Sequence, residues 1–250
     1  MALALLGPFF FRQPAMIVET AKIESTFRKV KQIKEYMQHY CIAPDRAKMS
    51  VEDLQRCISD MYGIKIEKQE VLFEGEYLRG LVERYEARAR IFLRTGQGEE
   101  WMRFTATKEL CHLAIDEKED WSPRGHETIQ SLLIEDRLDL DGDEVAQEAR
   151  KLADSRAQSE KLAEIAAVEL MYPYEFRQDD IKAIAKGTTT LKALAVHFQV
   201  PAYVIGVAQH PGRMHIATLG WEMANSVKVI APEKPAFGDK VRKRPQRRRG

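Results

Sequence analysis

Cysteine is scarce in this 250-residue chain. There are three, Cys41, Cys57 and Cys111, an odd number with no C-x-x-C pair. That set argues against a disulfide framework and a structural zinc knuckle, and for a reducing cytoplasm. No window is apolar over the roughly 20 residues that a membrane-spanning helix needs, so no membrane partner is expected. Internal repeats, a P-loop and a dinucleotide fingerprint are all missing, which removes phosphate-cradling glycine loops from the candidate chemistries. Net charge is nearly absent too, at +1, but it is unevenly placed. The last eleven residues, KVRKRPQRRRG, hold seven basic side chains and no acidic one, so the rest of the chain is net acidic. A basic tail of this kind, with Arg242, Lys243, Arg244, Arg247, Arg248 and Arg249, gives salt-dependent, non-specific affinity for nucleic acid. It could equally dock on an acidic partner or serve only as a solubilising end. No aromatic residue stands among the arginines, so base stacking is not indicated.

The length fits one large domain with tails. Residues 1–20 read as a flexible apolar leader, 21–230 as the folded domain and 231–250 as a disordered basic tail. The opening MALALLGPFFF has no basic n-region and no cleavage site, which argues against a signal peptide. It reads as a mobile leader ahead of a start at Met16, with an apolar hook for a partner as the alternative. Between 21 and 42, Ile23, Phe27, Val30, Ile33, Tyr36 and Met37 recur at helical spacing beneath a basic outer face. Core packing is the main reading of that stripe; docking to nucleic acid is the minor one. Residues 54–66 predict an amphipathic helix ending at Gly63, then a short strand. Residues 80–93 predict a hairpin whose second strand alternates apolar and polar. A glycine-rich turn, TGQGEE, leads to Arg103-Phe104-Thr105, and Thr105 is the expected N-cap of the next helix. Residues 188–209 fit two crossed helices, with Pro201 opening the second and Gln199 where a glycine is usual in the turn. The second of these, PAYVIGVAQ, offers no Arg, Lys or Asn for base edges, so the pair reads as part of the domain core. Asp139-Leu140-Asp141-Gly142-Asp143-Glu144 misplaces both the glycine and the closing glutamate of a calcium loop and reads as a polar turn.

The helix after Thr105 carries Lys108-Glu109-Leu110-Cys111-His112. In H-E-x-x-H the two histidines, four apart, leave one helix face and ligate a single Zn²⁺, while the glutamate activates the metal-bound water. Here the first histidine is a lysine, whose ammonium cannot ligate a cation. Alone, K-E-x-x-H is equally an ordinary solvated helical turn. Its setting is more specific: helix, strand, hairpin, RFTATKELCH, then EKLAE followed by AAVELMYP. That order resembles the ImmA/IrrE family of zinc-dependent peptidases over roughly residues 50–210. The resemblance implies an α+β fold, with a small antiparallel or mixed sheet packed by helices around a zincin-like, gluzincin-type core. It further implies that Glu109 matches the catalytic base, His112 the second histidine ligand and Glu160 the third ligand, with Lys108 at the lost one. Glu164 replaces the Asn or Asp expected after Ala163, and 47 residues separate His112 from Glu160, more than the family pattern has.

Catalytic zinc takes three protein ligands and one open position. Only two remain, beside a positive charge, so the expectation is no cofactor, with the Lys108 ammonium paired to Glu109 or Glu160 in the space of the ion. Zinc returns only if Cys111 or His126 completes the set. Cys111 projects about 100° around the helix from His112, which makes shared ligation awkward. Three functions follow. The first is a pseudo-peptidase that binds a protein, such as a transcriptional regulator, in the former substrate cleft. The second is an active zinc endopeptidase cleaving a repressor in a phage or mobile-element setting. The third is a nucleic-acid-associated regulator working through the tail. The cleft is expected beside an edge strand around Arg90–Leu93, where a peptide can add to the sheet.

Overall fold

The computed structural model describes residues 19–40, 49–73, 78–118 and 144–226, without the side chains of Tyr40 and of residues 144–156. The leader, Cys41, the stretch with His126 and Glu127, the polar turn at 139–143 and the basic tail from Arg242 to Arg249 lie outside these residues.

Helix α1 (Thr20–Tyr40) buries Ile23, Phe27, Val30, Ile33 and Met37 along the predicted stripe. Its basic face is engaged within the fold. Lys29 Nζ donates to the Ile115 carbonyl at 3.2 Å, Lys31 Nζ to Asn225 Oδ1 at 2.9 Å, and Lys34 pairs with Glu175 at 3.6 Å. Helix α2 (Val51–Tyr62) starts at Ser50, whose Oγ accepts from the Asp53 N–H at 3.2 Å, and stops at Gly63. Strand β1 (Lys65–Val71) follows, then the hairpin of β2 (Gly80–Arg84) and β3 (Arg88–Arg94).

The strand order is β1-β3-β2, with β1 parallel and β2 antiparallel to β3. Strand β3 is therefore the central strand, and the expected edge at Arg90–Leu93 is corrected: among the described residues β1 and β2 are the edges. Its alternation of Ala89, Ile91 and Leu93 inward identified the buried face correctly. Side-chain period reports faces, however, and carries no information on which backbone edges are paired. The charged run KIEKQEV of β1 is the composition that suits an exposed edge.

Helix α3 (Glu99–Ile115) is capped at Gly98, not at Thr105, which lies buried inside the helix. Glu99 and Glu100 in the first turn complement the positive helix end, and Phe104 already contributes to the core. Helix α4 (Glu144–Met171) ends ahead of Pro173. From Leu162 to Met171 it is buried on nearly every side, because α1 and α3 both pack along it.

Four further helices follow: α5 (Tyr174–Ala185), α6 (Leu191–Phe198), α7 (Ala202–Ala208) and α8 (Pro211–Ser226). The pair expected over 188–209 corresponds to α6 and α7, and the helical region runs on past it into α8. Thr190 caps α6, and α6 ends at Gln199 with φ 54°, the left-handed position where glycine was expected. Helix α8 lies on α1, where Phe27 meets the Trp221 ring edge-on at 5.4 Å between centroids. Gly220 permits that approach, since a Cβ there would overlap the Phe27 ring. At the far end of α4, Glu169 and Arg177 form a sealed ion pair, both 1 % exposed. Arg177 donates to Glu169 Oε1 at 2.6 Å and to the Tyr172 carbonyl, while Trp221 Nε1 donates to Glu169 Oε2 at 2.9 Å.

The architecture is α+β, mostly helical with a small mixed three-stranded sheet. Among the described residues no single helix is long and apolar enough to cross a membrane. The α6–α7 pair reaches that length only together, with a 107° bend between its halves.

Candidate functional site

The face of α3 that meets α4 gathers the residues singled out in the sequence. Lys108, Glu109 and His112 come from α3 and Glu160 from α4, 52 positions along the chain from Lys108. Lys108 Nζ donates to Glu160 Oε2 at 2.5 Å and lies 3.3 Å from Glu109 Oε1. His112 Nε2 faces the other oxygen of Glu160, Oε1, at 3.4 Å. One carboxylate thus spans an ammonium and an imidazole.

Burial grades sharply across the four. The Glu109 and His112 side chains are 2 % and 5 % exposed, Lys108 22 % and Glu160 52 %. Burial alone would favour a neutral Lys108, but Glu109 and Glu160 outweigh it and hold the ammonium's pKa above its ordinary value. Burial would likewise discharge His112, yet Asp116 and Glu160 raise its pKa well above 6.5. The opposite holds at Glu109, where burial wins over Lys108 and His112 and pushes the carboxyl up. Glu160 is held far below the usual carboxylate range, since His112 and Lys108 overcome its desolvation.

Two residues that sequence reasoning passed over orient the imidazole. Asp116 Oδ2 faces His112 Nδ1 at 3.0 Å, and Ser159 Oγ donates to Asp116 Oδ1 at 2.7 Å while lying 3.2 Å from Nδ1. The signal for Asp116 was present, because it stands four residues after His112, at the cap just past the end of α3. Ser159 carries no such periodic mark. Gly80, at the start of β2, is the third. A Cβ there would overlap the Thr105 methyl and come within 2.9 Å of Glu109 Oε1, so glycine lets the edge strand lie against the cluster. Arg84 closes the other end of β2 onto the helix, donating from Nη1 to the Leu113 carbonyl at 3.0 Å.

Glu164 does not join the site. It pairs with Arg213 of α8 at 2.7 Å and with Lys161 at 3.7 Å. Cys111 is buried, and burial pushes its thiol far up, which makes it a poor metal ligand.

The donor set at this point is two groups, His112 and Glu160, with a cation between Glu160 and Glu109. Zinc catalysis takes three protein ligands, and the described residues supply two here; His126, the other candidate ligand, lies outside the described residues. Among the described residues, no group of three or more His, Cys, Asp or Glu side chains is disposed to hold a metal. No family model matches the chain, and no curated protein matches it.

Proposed function

We propose that this chain is a pseudo-peptidase of the ImmA/IrrE type, in which the Lys108 ammonium stands in for zinc and the molecule acts by binding protein. The position of Lys108 Nζ carries the reading: 2.5 Å from Glu160 and 3.3 Å from Glu109. In the resemblance those two are the third metal ligand and the general base. A fixed positive charge between them preserves the electrostatics of a metal site while withholding its Lewis acidity and its activated water.

The binding half of the proposal draws on β2. It is an edge strand among the described residues, and its first residue lies against Thr105 and Glu109. An extended peptide can add to such an edge through backbone hydrogen bonds, with no metal required. A transcriptional regulator held in this cleft without being cut is the partner class we favour.

Metal analysis of the full chain purified without chelator tests the first half. Wild type is expected to hold well under one zinc per chain, and Lys108→His to take up one. Stoichiometric zinc in the wild type would overturn the proposal.

A further inference from the structure

The geometry points to a carboxylate seat whose fixed parts are Lys108 Nζ and His112 Nε2, which Glu160 occupies as a built-in ligand, and to a carboxylate-bearing peptide as its exchange partner. This inference rests on the reading of Lys108 as a resident cation, and it specifies what the cleft would recognise.

Glu160 holds the seat with both oxygens, Oε2 on Lys108 at 2.5 Å and Oε1 facing His112 Nε2 at 3.4 Å. Of the three side chains it is the one that can leave. Half of it is exposed, at 52 %, whereas Lys108 is 22 % and His112 5 % exposed. The two cations stay in place without it. Lys108 retains Glu109 at 3.3 Å, and His112 retains Asp116 and Ser159 on its other nitrogen. The buried imidazole Nε2 meets Glu160 Oε1 only at 3.4 Å, longer than an ordinary hydrogen bond. An incoming carboxylate set slightly closer would make the stronger contact. Withdrawal of Glu160 leaves Lys108 backed by the buried Glu109 and His112 backed by Asp116, with Nζ and Nε2 both turned to the vacated place. Two donors set at the positions of the two Glu160 oxygens select a carboxylate.

Two sources share this chemistry, an Asp or Glu side chain and a chain's terminal carboxylate. In wild type the ligand must displace Glu160, so exchange is competitive. In Glu160→Ala the seat stands open.

The test titrates sodium acetate into the full-length chain against sodium chloride at matched ionic strength, following the His112 ring resonances by NMR. Glu160→Ala is expected to show a saturable shift with an acetate midpoint at least tenfold lower than wild type. The added substitution Lys108→Met should abolish it. Glu160→Gln serves if the alanine variant does not fold by circular dichroism; folding of Glu160→Ala only in acetate would itself support the seat. A second arm uses wild type, so it does not depend on any variant. It compares acetyl-Ala-Ala-Glu-amide with its Gln counterpart, and acetyl-Ala-Ala-Ala acid with its amide. Tighter binding of the first acid identifies a side-chain source, and of the second a terminal one. No saturable acetate response in folded Glu160 variants, or one that survives Lys108→Met, overturns the seat; so does equal binding of acids and amides by wild type. In metal-free protein such a failure leaves the pseudo-peptidase reading standing, whereas stoichiometric zinc in wild type removes both.

Discussion

Two ion pairs at the residue scale use the same chemistry to opposite ends. Glu160 with Lys108 is half open to solvent, while Glu169 with Arg177 is sealed at 1 % exposure on both sides. An exposed pair contributes little to stability, but breaking a sealed one strands a charge in a low-dielectric interior. Arg177→Ala is therefore expected to cost about 3–5 kcal/mol in urea unfolding, because Glu169 would lose its ion-pair partner and keep the Trp221 indole hydrogen bond, with Lys34 as a more distant cation. A loss under about 1 kcal/mol would mean that Glu169 finds water or protonates at no cost. Arg177 was illegible in the sequence, since a buried arginine and a surface one are spelled alike. Lys108 was singled out because the text around it, RFTATKELCH, resembles a metallopeptidase signature, and the structure brings it to Glu160 and Glu109.

Helix and strand elements were readable where one face repeats. The stripe of α1, the cap and glycine stop around α2 and the alternation of β3 each follow from a period of 3.6 or 2 meeting one buried surface. Helix α3 was misread at its start because it is buried nearly all round and has no polar face to fix a phase. The centrality of β3 was hidden for another reason: β1 pairs with it on the side away from β2, and no local pattern encodes that non-local parallel pairing. Gln199 is an element-scale oddity that the sequence did flag. It ends α6 at φ 54°, a conformation that disfavours a side chain with a Cβ. Replacing it with glycine is expected to stabilise the chain by about 0.5–1 kcal/mol, less the extra freedom glycine gains when unfolded. Thermal unfolding of Gln199→Gly checks this, and a lowered midpoint would show that the Gln199 side chain makes a contact that matters more than its backbone.

Taken as a whole, the molecule concentrates its pH response at the α3–α4 contact. His112 has a folded pKa well above 6.5, so its contribution is complete below that pH and is lost as pH rises through the raised value. Glu109, pushed up by burial, contributes in the same sense: fully below 4.5 and progressively less above it. Glu160 is depressed, so its contribution is present above 4.5 and is lost on acidification through the lowered value. The three overlap best on the acid side of neutral. The metal-free chain is expected to have a higher urea midpoint at about pH 5.5 than at about pH 8.5. An equal or higher midpoint at the alkaline condition would show that His112 is neutral in the folded state.

The two glutamates of the contrasting pairs sit on one rod. Glu160 and Glu169 are nine residues apart on α4, about 14 Å along its axis and, at 100° per residue, on opposite sides. The Glu169 end is bolted down by Arg177, the Tyr172 carbonyl and Trp221. That end is a fulcrum. A change of partner at Glu160 turns its own χ angles without sliding the helix, so the open end can trade ligands while the core behind it keeps its register.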